Sequence, residues 1–415
     1  MSPGRPSSWK WWICGLLLLA SAINYMDRQT LANVSTRVTA EFGLRQEQYG
    51  NLELAFGWSF AVGSIAFGIL ADKAPLRWLY PAVLLLWSAV GFATGLAGSY
   101  EGLLGCRALL GFFEAGHWPC AVKATQLLLA PKDRSMGNSV LQSGTSIGAI
   151  VTPLVMSVLL TQERGSWRPA FQLVGLAGFL WVIVWFALVR KDDLTAAAPA
   201  QTASTAPDES FWQAIFSRRM LVIVVMIALI NTAWQIIRAW LPKFLVEGRG
   251  YAESEMLYFN ALFYVATDAG CIGAGLLTLW LHRRKLAVIP ARKVAFFFCA
   301  MLSALTLGAA WLPKGLLLLG LLLLVGAGAL GVFPIYHAFT QDISARHQGK
   351  VTGIGGVAAW ALSPAQKYYG RLIDKTGSFD LGFAIAGCLP LLAFLALWLF
   401  WKELKPALDP LPAAL

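Results

Sequence analysis

The chain has 415 residues, of which 57% are hydrophobic and only 13% are charged, and its mean hydropathy is +0.61. Soluble domains carry roughly 25% charged residues, so this composition excludes an ordinary soluble domain and predicts a polytopic membrane protein. The formal net charge of +11 does not indicate nucleic-acid binding, because the basic residues are scattered over short loops and form no basic domain.

Twelve apolar stretches long enough to cross a bilayer follow one another with short loops between them. They are predicted at 10–35, 47–71, 77–98, 101–129, 135–161, 168–189, 219–246, 255–281, 292–312, 314–340, 350–369 and 381–401. The predicted fold class is therefore an all-α membrane protein with twelve transmembrane helices in two six-helix halves. We place an N-terminal bundle at 1–190, a linker at 191–218 and a C-terminal bundle at 219–415.

The linker contains a run rich in Ala, Thr and Pro at 195–207, a composition that favours a flexible connection over a helix or strand. Residues 211–215, which follow it, are either a short surface helix or part of the same connector.

An internal repeat supports the division into six plus six. Gly144, Gly148 and Pro153 of the fifth helix have counterparts in Gly355 and Pro364 of the eleventh, again with nine residues from glycine to proline. Two homologous halves around a central site are the usual plan of a secondary transporter.

Lysine and arginine are more frequent in the loops on the side of the N-terminus than in the opposite loops. By the positive-inside rule, both termini are predicted to be cytoplasmic, and the protein is placed in the cell (inner) membrane. We call the side that carries residues 34–45 the predicted outer side and the opposite side the predicted inner side.

The first helix carries charged side chains at membrane depth. Asp27 and Arg28 lie in an otherwise apolar stretch, where an unpartnered charge costs at least a few kcal/mol. A helix that keeps both charges is expected to line a polar pathway rather than to face lipid. The fourth helix has a similar pair, because Arg107 and Glu114 are seven residues apart and so share one face, roughly 10 Å apart along the axis.

Helical rise places these charges at compatible depths. Arg28 is about 18 residues from the inner start of the first helix and Arg107 about six residues from the outer start of the fourth, so at ~1.5 Å per residue both lie in the outer half. Two converging guanidiniums could form a bidentate carboxylate clamp. The alternative is a structural ion pair between Asp27 and Arg107.

The loop between the second and third helices carries Gly68, Asp72, Lys73 and Arg77. A glycine allows close helix approach, and an acid at a helix end can accept hydrogen bonds or pair with a cation. This loop resembles the signature of the major facilitator superfamily, although Pro75-Leu76 replace its usual glycine. We expect a gating role without substrate contact. A similar pattern at 370–377 falls on the predicted outer side, and we interpret it as a turn without a gating role.

A more specific resemblance comes from Asn24-Tyr25-x-Asp27-Arg28, Arg107 with Gly111 and Glu114, and Ser166-Trp167-Arg168-x2-Phe171. This combination resembles the anion:cation symporter family of that superfamily, which includes galactonate and hexuronate transporters, sialin and vesicular glutamate carriers. The resemblance runs over the whole chain. It implies that Asp27 and Glu114 handle protons, and that Arg28 and Arg107 bind the substrate anion.

Further substrate contacts are predicted around these residues. Arg238 is either a third anion contact or a side chain that snorkels to the outer interface. His117 either tunes Glu114 or hydrogen-bonds a neighbour, and Asp268 is either a second proton site or a packing acceptor. The other candidates share a polar or aromatic side chain within a predicted span: Tyr25, Asn24, Thr145, Trp234, Gln235, Tyr336, Trp360 and Ser363.

No nucleotide, nucleophile or zinc signature occurs, so the chain is expected to be neither an enzyme nor a cofactor or metal binder, and an ion gradient must drive transport. We predict a monomer that imports a small organic anion, a sugar acid of the hexonate or hexuronate type, with protons by alternating access. The alternative is an anion exchanger or a phosphate or organophosphate carrier. A sensor of the same fold is a third class, from which a long signalling domain would be expected.

Overall fold

The computed structural model describes residues 9–129, 134–194, 216–341, 343 and 348–401, and within these ranges the regular structure is entirely helical. The α-helices are α1 Trp9–Asn33, α2 Ser35–Phe42, α3 Gln46–Lys73, α4 Leu76–Thr94, α5 Tyr100–Glu114, α6 His117–Leu128, α7 Arg134–Leu159, α8 Arg168–Leu188, α9 Arg218–Lys243, α10 Glu253–Arg283, α11 Val288–Ala304, α12 Thr306–Ala309, α13 Leu316–Gln341, α14 Gln348–Ala361, α15 Pro364–Thr376 and α16 Asp380–Phe400.

Nine helical stretches in the described ranges are long and apolar enough to cross a membrane. The other three predicted spans are α1, which carries Asp27 and Arg28, and two helices that break near mid-span. α5 and α6 are separated at Ala115-Gly116, and α14 and α15 at Leu362-Ser363. This arrangement agrees with the predicted all-α membrane fold and is consistent with twelve spans. The linker residues 195–207 and 211–215 lie outside the described part of the chain.

One boundary prediction is wrong. The eleventh span was predicted to end at residue 369 and the segment 370–377 to be a turn, but α15 continues to Thr376 and ends at Gly377 in the left-handed conformation. The extra turns are stabilised by Asp374, whose two carboxylate oxygens accept hydrogen bonds from the backbone amides of Gln46 and Glu47 at 2.9 and 2.8 Å. The sequence pattern at 370–377 therefore joins α15 to the start of α3.

The glycines of the internal repeat lie where two helices approach closely. A Cβ added to Gly144 or Gly148 of α7 would lie 2.2–2.3 Å from backbone oxygens of α1, so α7 packs directly on the first helix. Gly355 of α14 faces Ile227 of α9, whose Cδ1 would be 3.1 Å from an added Cβ. The repeat thus pairs the fifth helix with the first and the eleventh with the seventh.

The first six and the last six spans meet along one face of α3. Gly50 of α3 crosses α15 so closely that an added Cβ would lie 2.3 Å from the carbonyl oxygen of Gln366, and an added Cβ on Gly370 would lie 2.2 Å from the carbonyl oxygen of Gln46. Glycine lets these backbones approach each other, as in membrane helix pairs in general. The contact runs inward from the predicted outer side and continues past the charged residues described below to Gly57, which lies against Ser363 and Trp360.

Candidate functional site

Arg28 and Glu114 form a buried ion pair between α1 and α5. Nε of Arg28 donates to Oε2 of Glu114 at 2.7 Å, and Arg28 and Glu114 are 7% and 0% exposed. α5 ends at Glu114 and α6 begins at His117, so the carboxylate lies at the break of the fourth span. The two helices that the sequence singled out are therefore joined through these side chains.

Glu53 of α3 bridges two more arginines. Oε1 accepts a hydrogen bond from Nη2 of Arg107 at 3.1 Å, and Oε2 accepts one from Nη2 of Arg238 at 2.7 Å. The side chains of all three are 1% exposed. Arg238 is buried and bonded on every nitrogen, since Nε donates to Gln235 and Nη1 to the carbonyl oxygen of Arg28. The snorkelling alternative for Arg238 is wrong.

Glu53 is the residue that the sequence analysis missed. It lies on the α3 face that carries Gln46, Gly50 and Gly57, all of which touch the last six spans. An acid in an otherwise apolar span is a signal of function, and this one could have been noticed on that ground. Its partners could not, because Arg238 is 185 residues further along the chain.

Aromatic rings contact the guanidiniums of both Arg28 and Arg107. The Cζ atoms lie 5.5 and 4.3 Å from the ring centroid of Phe56, and Cζ of Arg28 is also 4.8 Å from that of Phe60. Trp360 of α14 packs on both phenylalanines, with centroids 5.5 and 5.1 Å apart. Cation–π contacts of this kind stabilise a charge that water does not reach.

Several buried hydrogen-bond donors in this cluster have no partner within the described ranges. They are Nη2 of Arg28, Nε and Nη1 of Arg107, and Nδ2 of Asn24. A buried donor left without a partner costs about 1–3 kcal/mol, and more when it is charged. The arrangement is therefore suited to a ligand with several acceptor oxygens, such as a carboxylate.

Asp27 is fully buried, and neither carboxylate oxygen has a hydrogen-bond partner among the residues that the structure describes. The carboxylate lies against α4, where a Cβ added to Gly91 would be 2.8 Å from Oδ1. The ion pair between Asp27 and Arg107, which was the alternative to an anion clamp, is not formed.

The remaining predicted substrate contacts differ in their distance from this cluster. Tyr25 and Gln235 touch it, because the Tyr25 ring centroid is 5.7 Å from Cζ of Arg28 and Gln235 accepts from Arg238. Trp234 begins an aromatic row that reaches Tyr336 through Phe333. Thr145 and Ser363 hydrogen-bond within their own span: the Thr145 hydroxyl to Gln142, and the Ser363 hydroxyl to the carbonyl oxygen of Trp360.

The two undecided residues, His117 and Asp268, have hydrogen-bond partners outside the charged cluster. His117 is hydrogen-bonded to the hydroxyls of Ser21 and Tyr80, each at 3.0 Å. Asp268 accepts from the hydroxyl of Ser146 at 2.8 Å and so joins α10 to α7. In both cases the packing alternative agrees with the geometry.

The predicted gating loop joins α3 to α4 on the predicted inner side. An added Cβ on Gly68 would meet nothing within 4 Å, so the expected close helix approach at this glycine is wrong for this conformation. Lys73 is exposed and Arg77 lies over the ring of Trp78 at 5.8 Å. The side chain of Asp72 lies outside the described part of the structure. The gating role stays a prediction.

The predicted outer side, by contrast, is tied together across the two groups of spans. Arg37 of α2 makes a bidentate ion pair with Glu253 of α10 at 2.7 and 2.5 Å. This hydrogen bonding raises the pKa of Arg37 above its ordinary value, so the guanidinium keeps its charge. Arg371 of α15 donates to Glu47 of α3 at 2.8 Å.

We call the links from Arg37–Glu253 and Glu47–Arg371 down to Glu53–Arg238 the outer column. Tyr49 belongs to it as well, since its hydroxyl donates to the carbonyl oxygen of Ala239 at 2.8 Å. In this conformation the outer column joins the two groups of spans between the predicted outer side and the charged cluster.

A helical membrane bundle with buried arginines and carboxylates between its two groups of spans is the arrangement expected of a membrane transporter. Residues 17–365 match the Major Facilitator Superfamily, so the chain belongs to that superfamily. The chain is similar to the hexuronate transporter of Bacillus subtilis (26% identical; 94% of this chain and 95% of the relative covered) and to that of Escherichia coli K12 (25%; 96% and 95%). It is also similar to a probable sulfoacetate transporter of Cupriavidus necator (28%; 91% and 90%).

Solved structures support the same fold. A bacterial homolog of the human lysosomal transporter Spinster, inward-facing and unoccupied, aligns with a TM-score of 0.81 at 16% identity and covers 98% of this chain and 100% of its own. A D-xylose–proton symporter aligns with a TM-score of 0.73 at 16% identity and covers 95% and 98%. At these identities the likeness establishes the fold alone.

Proposed function

We propose that this protein imports a sugar acid of the hexonate or hexuronate type together with protons by alternating access. The observation that carries the proposal is the set of buried guanidinium and amide donors without a partner on Arg28, Arg107 and Asn24. The relatives named as hexuronate transporters support a sugar acid as the anion.

The free donors suit a carboxylate. Nη2 of Arg28 and Nε and Nη1 of Arg107 belong to guanidiniums that flank one Phe56 ring, and planar guanidiniums bind carboxylates through paired hydrogen bonds. Asn24 and Gln235 are placed to recognise hydroxyls. Trp360 adds an apolar wall for the carbon chain of the sugar. Arg238, Tyr25, Thr145, Trp234, Tyr336 and Ser363 complete the proposed binding site.

Proton coupling is assigned to Glu114 and Asp27. A substrate carboxylate that binds Arg28 competes with Glu114 for the same cation, and a buried carboxylate that loses its counter-ion favours its protonated form. Release of the substrate toward the inside lets Glu114 ionise and pair with Arg28 again. Asp27, buried beside Arg28 in sequence and without a partner among the described residues, is the second proton acceptor.

Alternating access requires that the site open first to one side and then to the other. The outer column is proposed to close the outer side in the inward-facing half of such a cycle. In the outward-facing half, Gly68, Asp72, Lys73 and Arg77 are proposed to close the inner side. The protein is proposed to work as a monomer in the cytoplasmic membrane, with both termini inside.

The test is uptake of radiolabelled glucuronate or galactonate into proteoliposomes of the purified protein, with and without an inward-directed proton gradient. Accumulation that requires the pH difference supports the proposal. Uptake that requires an internal anion instead identifies an exchanger, and uptake of labelled phosphate but of neither sugar acid identifies a phosphate carrier. A thermal-shift screen over hexuronates, hexonates, sulfoacetate and phosphate would identify the anion class.

A further inference from the structure

Glu53 satisfies charges that belong to both groups of spans. Arg107 and Glu53 are on α5 and α3 of the first six spans, whereas Arg238 is on α9 of the last six. Of the two hydrogen bonds of this carboxylate, the one from Arg238 therefore crosses the boundary along which the halves must separate and rejoin, and the one from Arg107 stays within the first six spans. The donors proposed to bind substrate, Nη2 of Arg28 and Nε and Nη1 of Arg107, form no hydrogen bond with Glu53.

Within the charged cluster, the number of arginines equals the number of carboxylates only when Glu53 is counted. Arg28, Arg107 and Arg238 face the three carboxylates Asp27, Glu53 and Glu114, and all six residues are at most 7% exposed. Without Glu53, Arg238 would keep only neutral acceptors, from Gln235 and a backbone carbonyl. Closing two arginines against each other without an anion is strongly unfavourable in a poorly solvated interior.

We infer that Glu53 is a built-in counter-anion that lets the empty carrier pass through its closed states, so that the protein works as a symporter and not as an obligatory exchanger. The inference deepens the proposed function and rests on it for the substrate. A carrier loaded with anion and proton brings its own charge balance into the site. An empty carrier must return without one, and Glu53 supplies the negative charge between Arg107 and Arg238 for that step.

The test separates exchange from net transport in Glu53→Gln, which keeps the shape and hydrogen-bonding capacity of the side chain but removes its charge. In counterflow, labelled glucuronate enters vesicles preloaded with unlabelled glucuronate, so the carrier changes conformation only with substrate bound. The counterflow rate of Glu53→Gln should stay within about twofold of wild type. Net uptake driven by a pH gradient needs the empty return and should fall roughly tenfold or more. Glu101→Gln, on an exposed residue at the start of α5, is the matched control and should change neither.

Either of two outcomes overturns the inference. Net uptake by Glu53→Gln at the wild-type rate means that the empty return does not need this charge. Loss of counterflow together with net uptake, in protein that elutes as a folded monomer, means that Glu53 serves the loaded crossing as well. Glu53→Asp keeps the charge and should retain net uptake, and its loss in that variant would equally contradict a charge-balancing role.

A second measurement needs no substrate. Hydrogen exchange of the substrate-free protein should accelerate in residues 46–52 and 366–376 when the Glu53 charge is removed, because the outer column then opens more often. Arg238→Gln breaks the same link from the other side and replaces Glu53→Gln if that variant does not fold. An unchanged rate of hydrogen exchange in these residues overturns the inference. If the wild-type protein transports no sugar acid, the proposed function fails, while the hydrogen-exchange rates still decide the role of Glu53.

Discussion

Replacing Arg28 by lysine tests the anion clamp most directly. Arg28 uses Nε for Glu114 and leaves Nη2 without a partner in the described part of the chain. Lysine can keep the ion pair with Glu114, so the fold and the charge are retained, but it cannot present the second planar donor to a substrate carboxylate. The expected phenotype is a binding defect without loss of folded protein.

The magnitude follows from the number of hydrogen bonds lost. A hydrogen bond to a charged group contributes about 1.5–3 kcal/mol, and since 1.4 kcal/mol is tenfold in affinity, Arg28→Lys should raise the substrate Kd roughly 10- to 150-fold. The Kd is measured by calorimetry or by thermal shift in detergent with the anion identified in the screen. Arg283→Lys, on an exposed residue at the predicted inner end of α10, is the control and should bind as wild type. An Arg28→Lys protein with wild-type affinity would exclude Arg28 as a paired donor.

Three further variants test coupling and closure. Glu114→Gln mimics the protonated form, so it should bind substrate and exchange it but lose accumulation driven by a pH gradient; accumulation at the wild-type level would assign coupling elsewhere. Gly370→Leu should abolish transport by folded protein, because the leucine side chain would occupy the space of the Gln46 backbone and hold the outer side open. The control is Gly273→Leu, at a glycine with open space around it, which should transport as wild type. Wild-type uptake by Gly370→Leu would contradict the prediction. Glu253→Gln should weaken the ion pair with Arg37 by no more than about 1 kcal/mol, so uptake should change less than tenfold in radiolabel assays.

The fold was largely predictable because its main signal is the length of the apolar runs. Most span boundaries agree within a few residues, and the glycines of the repeat lie where α7 packs on α1 and α14 on α9, a pairing that the sequence analysis did not predict. The break at Leu362-Ser363 and the extension to Thr376 were not predicted. A rule based on bilayer thickness ends the eleventh span near residue 369, whereas the structure extends it because Asp374 and Arg371 bind the start of α3.

The charged residues of the site were partly predictable from the sequence, but most of their ion-pair partners were not. Arg28, Arg107 and Glu114 could be recognised because each is a charge inside an apolar stretch on a helix with a second such charge. The ion-pair partners could not, since they depend on which faces of α3 and α9 meet, and the sequence does not encode that pairing in any local pattern. The alternative to the anion clamp was an ion pair between Arg107 and Asp27, but the carboxylate partner of Arg107 is Glu53.

The ion pairs of the outer column differ in their exposure to water, and this difference determines which of them weaken first. Lys367 and Arg371, which pair with Glu47, are 36% and 45% exposed at their side chains, whereas the side chains of Glu53 and Arg238 are 1% exposed. Dissolved salt weakens the attraction between exposed charges, with a screening length of about 10 Å at 0.1 M, and weakens the attraction between buried charges much less. Raising the ionic strength will therefore weaken the ion pairs of Glu47 with Lys367 and Arg371 but leave the pair of Glu53 and Arg238 almost unchanged. The outer column will thus lose its solvent-exposed ion pairs before its buried one.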